Sequence, residues 1–160
     1  MERFDEWRGS MSGTSILLLS GPNLNLLGER EPAVYGSATL EDHVAAATER
    51  ARQHDLGVEH LQSNRESDLV EAVHRARGHH AAIVINAGAF THYSWALHDA
   101  LAAYDGPVVE LHLSNPSARE SWRHTSVVTP VADALIQGLG GAGYPMAVDA
   151  VAHLLSRPTG

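Results

Sequence analysis

The chain has 160 residues, 44% apolar and 19% charged, with 11 basic against 19 acidic side chains for a formal net charge of −8. That is the length and composition of one globular domain with one core, which excludes fibrous and disordered classes. Cys is absent and every basic residue is Arg, so thiol chemistry, disulfides, lysine Schiff bases and Walker-type phosphate loops are excluded as well.

Residues 1–12 carry Glu2, Asp5 and Glu6 and no apolar segment, so they read as a disordered N-terminal extension rather than a secretory signal. Met11 is an alternative start, and residues 13–160 read as a single domain. Ile16 to Leu19 is a short unbroken apolar run, which suits a parallel strand covered on both faces. The segment from Gly21 to Ala38 that follows is long for a strand-to-helix loop, typically about 2 to 6 residues, and reads as a ligand loop or lid.

Thr39 with Asp42 three residues on forms a capping box, and Leu40, Val44, Ala47 and Ala51 then fall at helical spacing until Gly57 ends the segment. Val58 to Leu61 is a weaker strand, followed by a helix through Leu69, Val73 and Ala76. Ala81 to Ile85 and Val108 to Leu111 are strands on either side of a helix bearing Leu97, Ala100, Leu101 and Tyr104. Val127 and Val128 are a weak fifth strand, and a last helix carries Ala147, Val148, Val151, Leu154 and Leu155.

This alternation predicts an α/β open sheet of about five parallel strands with helices on both faces and right-handed crossovers. In such sheets the ligand lies beyond the carboxyl ends of the strands. Here those ends are Ser20 to Asn23, Asn86 to His92, and His112 to Asn115, all rich in polar groups and Gly.

Gly138, Gly140 and Gly143 have the spacing of a dinucleotide fingerprint, but too little chain follows for the second strand and its acidic ribose ligand. They read as a tight turn into the last helix. Glu110 and His112 stand two apart on a strand and so share a face, where a carboxylate fixes an imidazole's tautomer and makes a general acid. By pattern alone His112 reads first as a half-buried, hydrogen-bonded histidine, and His92, Glu110 and His112 as a weak metal set. Arg30 and Tyr35 read either as a ligand-loop pair or as a surface turn stiffened by Pro32 and ended by Gly36. The scattered arginines and net negative charge point away from nucleic acid, and no apolar run approaches the roughly 18 to 20 residues of a membrane span. A cytoplasmic protein is expected.

Five blocks nevertheless stand together: GPNLNLLGEREPAVYG (21–36), LQSNRESDLVEAVH (61–74), INAGAFTHYSWALHDAL (85–101), VELHLSNPSARESWRHTS (109–126) and GLGGAGYPMAVDAV (138–151). In order and in register, from about Ser15 to Leu155, they resemble type II 3-dehydroquinate dehydratase. The resemblance implies a flavodoxin-like fold, a homo-oligomer of trimers assembled into a dodecamer, no cofactor and no metal. The implied activity is elimination of water from 3-dehydroquinate to 3-dehydroshikimate in a shikimate or quinate route.

Position by position, it implies Tyr35 as the base and Arg30 as the cation that depresses its pKa. Asn23 holds a water at the developing enolate, and His112 is the general acid, oriented by Glu110. Asn86, His92, Ser114 with the backbone of Leu113, and Arg123 hold substrate, while Arg119 matches the second arginine of its block. Asp99 matches a residue that reaches a neighbouring subunit's site. The chain departs from the family pattern at Ser20, Ala87, Phe90, His98, Pro116 and Ser117, none of which carries an implied chemical role.

Overall fold

The structure, a computed structural model, describes residues 14–158. The expected extension over residues 1–12 lies outside the described residues, as does the side chain of Tyr35. The strands β1 (Ser15–Ser20), β2 (Gly57–Gln62), β3 (Ala82–Asn86), β4 (Val108–His112) and β5 (Ala134–Gln137) form one sheet in the order β2-β1-β3-β4-β5, every neighbour parallel. This bears out the expected open sheet of five parallel strands. The order reverses between β1 and β3, where the crossovers depart to opposite faces and leave a crevice at the strand ends.

Strand residues alternate between two cores because successive side chains point to opposite faces. Ile16, Leu18, Val84, Val109 and Leu111 pack under α2 (Leu40–Gln53) and α5 (Gly143–Leu155), the latter through Ala147, Val148 and Val151. Leu17, Leu19, Ile83 and Ile85 pack under α3 (Glu66–Ala76) and α4 (Trp95–Ala102) through Leu69, Val73, Leu97 and Leu101. The near-absence of a polar face on β1 and β3 follows from this double cover.

The capping box forms as the sequence predicts: the Thr39 hydroxyl accepts from Asp42 N at 3.2 Å and the Asp42 carboxylate accepts from Thr39 N at 2.9 Å. Three expectations need correction. The chain leaves α2 not at Gly57, which opens β2, but through Asp55 in the left-handed region at φ 57°. The loop from Gly21 to Ala38 contains a 3-10 turn at Leu24–Leu26 and a short helix α1 (Pro32–Tyr35). The fifth strand is Ala134–Gln137, not Val127 and Val128. Both valines are buried, Val128 in the core beneath α3 and α4, with their amides bonded to the Thr91 carbonyl (2.8 Å) and the Ser126 hydroxyl (3.1 Å) instead of to a strand. The glycine-rich segment is a turn into α5, with Gly138 and Gly140 at φ 85° and 56°.

Candidate active site

At the reversal point, β1 and β3 approach so closely that a Cβ on Gly21 would stand 2.3 Å from the Ala87 carbonyl oxygen, so only glycine fits. Gly21 N donates to the Asn86 carbonyl at 2.7 Å, which locks the two strand ends together. Beyond them opens a cleft with about 580 Å³ of free space, lined by polar groups from four segments.

The loop after β1 brings Asn23 and Arg30, β3 and its following turn bring Asn86 and His92, and the end of β4 brings His112, Leu113 and Ser114. Arg119 and Arg123 close the rim. Of the residues expected at the site, these eight line one cleft: Asn23, Arg30, Asn86, His92, His112, Leu113, Ser114 and Arg123. Glu110 stands behind His112 rather than in the lining. Tyr35 ends α1 on the same loop as Arg30. Asp99 is not in this chain's cleft; it is exposed on α4.

The shared face of Glu110 and His112 gives a direct contact, with His112 Nε2–H donating to Glu110 Oε2 at 2.6 Å. Glu110 is 1% exposed. Burial pushes its carboxyl up, but hydrogen bonds from His112 and Thr129, the His112 charge and the Ser126 hydroxyl outweigh it and hold the group below the usual carboxylate range. The bland reading of His112 is thus half right: the imidazole is buried and bonded, and it also walls the cleft.

His92 Nδ1–H donates to the Thr125 carbonyl at 2.7 Å, which leaves Nε2 as an acceptor. Burial lowers its pKa, only partly offset by that bond, and the nearby His112 and Arg123 add to the lowering. A neutral His92 therefore offers a hydroxyl acceptor at neutral pH. Asn23 sits at φ 67°, and its amide donates to the Asn64 side-chain oxygen at 2.9 Å. Gln62 Nε2 donates to that same oxygen and to the Gly21 carbonyl, both at 3.1 Å.

Arg30 pairs with Glu31 at 3.2 Å, and Arg123 pairs with Glu120 at 2.7 Å while lying 4.0 Å above the Trp122 ring. The cleft collects Arg30, Arg119 and Arg123 on a chain of net charge −8, with Glu31 and Glu120 as their acidic partners. Among the described residues no group of three or more His, Cys, Asp or Glu side chains is placed to hold a metal ion, so His92, Glu110 and His112 do not form one.

Sequence reasoning missed Gln62, Asn64, Ser126 and Thr129. Gln62 and Asn64 fall inside a block that carries the family resemblance, which was their available signal. Ser126 likewise closes the block at 109–126, but Ser126 and Thr129 lie 16 and 19 residues from Glu110, and no local pattern ties them to it.

Fold and site together define an α/β protein of flavodoxin-like topology with an acid–base and arginine-lined cleft at its reversal point. The family model for dehydroquinase class II matches residues 14–152. A 3-dehydroquinate dehydratase from Corynebacterium efficiens is 55% identical over 138 residues, covering 86% of this chain and 91% of that protein. Crystal structures of type II dehydroquinases from Butyrivibrio crossotus and Propionibacterium acnes superpose with TM-scores of 0.83 and 0.82 at 42% and 40% identity. They cover 87% and 90% of this chain and 97% and 99% of theirs. The chain belongs to the class II dehydroquinase family.

Proposed function

We propose that this chain is a type II 3-dehydroquinate dehydratase that removes water from 3-dehydroquinate by anti elimination through an enolate, using its own side chains and no cofactor. The observation that carries the reading is the buried Glu110–His112 pair at 2.6 Å, set into a cleft whose covering loop bears Arg30 and Tyr35.

The ketone acidifies its α-proton enough for a modest base. A Tyr35 phenolate takes that proton, the electron pair moves onto the carbonyl oxygen, and a water held by Asn23 donates to the enolate. The ketone then re-forms, expels the β-hydroxyl with a proton from His112, and leaves a conjugated enone and water. Glu110 holds the Nε2–H of His112, so Nδ1 carries the proton that is delivered. Asn86, neutral His92, Leu113 N, Ser114 and Arg123 hold the hydroxyls and carboxylate of the substrate.

Tyrosine ordinarily has a pKa near 10, so ionising one at neutral pH requires about 3 units, or roughly 4 kcal/mol. One guanidinium about 4 Å away at an effective dielectric near 20 supplies about that much. Arg30 is the cation of the same loop and is sufficient in magnitude.

The same proposal includes assembly as a dodecamer of trimers, with Asp99 reaching a neighbour's site, and action in the cytoplasm on a shikimate or quinate route. Exposed Tyr93 and Trp95, just before and at the start of the helix that carries Asp99, support a buried contact there. The direct test mixes metal-stripped protein with 3-dehydroquinate and follows the ultraviolet absorbance of the enone. Turnover is expected to survive exhaustive chelation and borohydride with substrate present. Activity that is lost on chelation and restored by a divalent ion overturns the cofactor-free reading.

A further inference from the structure

Glu110 is enclosed by donors. Oε2 accepts from His112 Nε2–H at 2.6 Å and from the Ser126 hydroxyl at 2.8 Å, while Oε1 accepts from the Thr129 hydroxyl at 2.5 Å. The Ser126 oxygen itself accepts the backbone N–H groups of Val128 and Thr129, both at 3.1 Å. A hydroxyl has one proton and two lone pairs. With both lone pairs occupied by amides, the Ser126 proton can be given only to Glu110.

This shell favours the carboxylate over the carboxylic acid: three donors point at its two oxygens, and a proton there would force His112 or a hydroxyl to give up donating to a buried charge. The segment after β4 thus folds back over the strand end and fixes both the charge and the orientation of the carboxylate.

A second hollow, walled by Glu110, Ser126 and Thr129, shares His92, His112, Pro116 and Arg123 with the cleft. His92, His112, Arg123 and His124 face it from the β3 turn, β4 and the segment after β4, and among the described residues Glu110 is the one acid that lines it. Glu110 stays 1% exposed despite that space because the two hydroxyls and His112 cover it.

We propose that Ser126 and Thr129 are positioning residues of the acid: they hold Glu110 ionised and in one orientation, and so keep His112 Nε2–H committed to Glu110 and Nδ1 turned to substrate. The proposal rests on the acid–base reading above for its catalytic consequence, but not for the state of Glu110 itself. The direction of the effect is fixed by burial, which favours the neutral carboxyl and is opposed by these donors. Removing them lets Glu110 take up a proton at higher pH, and the working pair is lost as pH falls through that raised value.

The test uses the assembled full chain with Ser126→Ala, Thr129→Val and their combination, beside Glu110→Gln. Thr129→Val keeps the volume, so no water enters from the hollow to replace the lost donor. Infrared titration reads the protonated-carboxyl band of Glu110, assigned by its absence in Glu110→Gln, and steady-state kinetics reads kcat against pH.

Each single variant is expected to raise the pH at which the band appears by about one unit and to lower kcat about tenfold with KM little changed. Ser126→Thr, which keeps the hydroxyl, is expected to restore both. If the double variant fails to fold, the singles decide. A Glu110 band that titrates as in the unaltered chain overturns the proposal. If the band moves but Glu110→Gln turns over normally, the acid role of the pair falls while the hold on Glu110 stands.

Discussion

At the scale of single residues, Tyr35→Phe removes one oxygen and leaves the ring. If that oxygen is the base, turnover is abolished while ligand binding and melting temperature stay close to those of the unaltered chain. Residual activity within about tenfold, under 1.4 kcal/mol, is too small a loss for a proton-abstracting base and removes the role. Arg30→Ala is expected to be nearly as damaging at neutral pH, with turnover recovering as pH rises and the phenolate forms without help. A deficit equally large at every pH would show that Arg30 acts otherwise, for instance by holding Glu31, its partner at 3.2 Å. His43 offers a different residue-scale test. It is buried, its ring stacks on Tyr144 at 4.9 Å and 4°, and its Nε2 has no hydrogen-bond partner. Burial lowers its pKa, with Asp42 opposing weakly. The unfolded chain therefore binds this proton at a pH where the folded chain refuses it, so stability is full above the ordinary value of 6.5 and falls as pH drops below it. Melting temperature should decline below pH 6.5, and more gently in His43→Gln, with His60 and His92, lowered by the same cause, supplying the remaining slope. An unchanged slope in His43→Gln would assign the whole effect to the other two.

At the scale of elements, the strand ends are set by contacts between backbones. Gly21→Ala places a methyl 2.3 Å from a carbonyl oxygen of Ala87, and neither partner is a flexible side-chain tip that could move aside. The expected cost is about 1–3 kcal/mol of stability, the range for an overpacked core, together with loss of turnover because Asn23 and Asn86 flank the contact. Thr39→Ala, by contrast, removes a cap at the start of α2, four residues after Tyr35 but outside the lining of the cleft. It should cost about 1 kcal/mol with kcat unchanged, and a parallel fall in kcat would mean that α2 anchors the loop bearing Tyr35. These elements also show what was legible in the sequence. β1 and β3 were plain because strands covered on both faces are continuously apolar, β4 because Val108, Val109 and Leu111 frame its Glu110, and α2 because its capping box is local chemistry. β5 was not, since Ala134–Gln137 is a short edge strand with partly exposed residues, while Val127 and Val128 have strand composition but are buried outside the sheet. The Glu110–His112 pair was legible because a spacing of two on a strand places both on one face. Ser126 and Thr129 were not, because their contact with Glu110 is made by a loop returning through space.

At the scale of the whole molecule, the question is whether one chain makes a complete site. Among the described residues no helix is long and apolar enough to cross a membrane. Trp95 and Asp99 stand four apart on α4 and share its face, with Tyr93 beside them and Trp122 packed edge-on against His92 at 5.4 Å. Trp95 is 62% exposed, Tyr93 58% and Trp122 53%, large apolar side chains of the kind that the proposed contact between chains would bury. If Asp99 completes a neighbour's cleft, Asp99→Asn should assemble normally by light scattering and yet turn over poorly. Trp95→Glu should lose assembly and activity together. The decisive measurement mixes two inactive chains. In an assembly of Asp99→Asn and Tyr35→Phe subunits, a site with intact Tyr35 from one chain can receive intact Asp99 from the other, which an equal random mixture provides at about a quarter of the sites. Recovery of activity on co-assembly, absent when the two proteins are merely combined after assembly, places Asp99 across the interface. No recovery, with mixed assemblies demonstrated by mass, would mean that Asp99 serves its own chain and that the aromatic face has a purely structural partner.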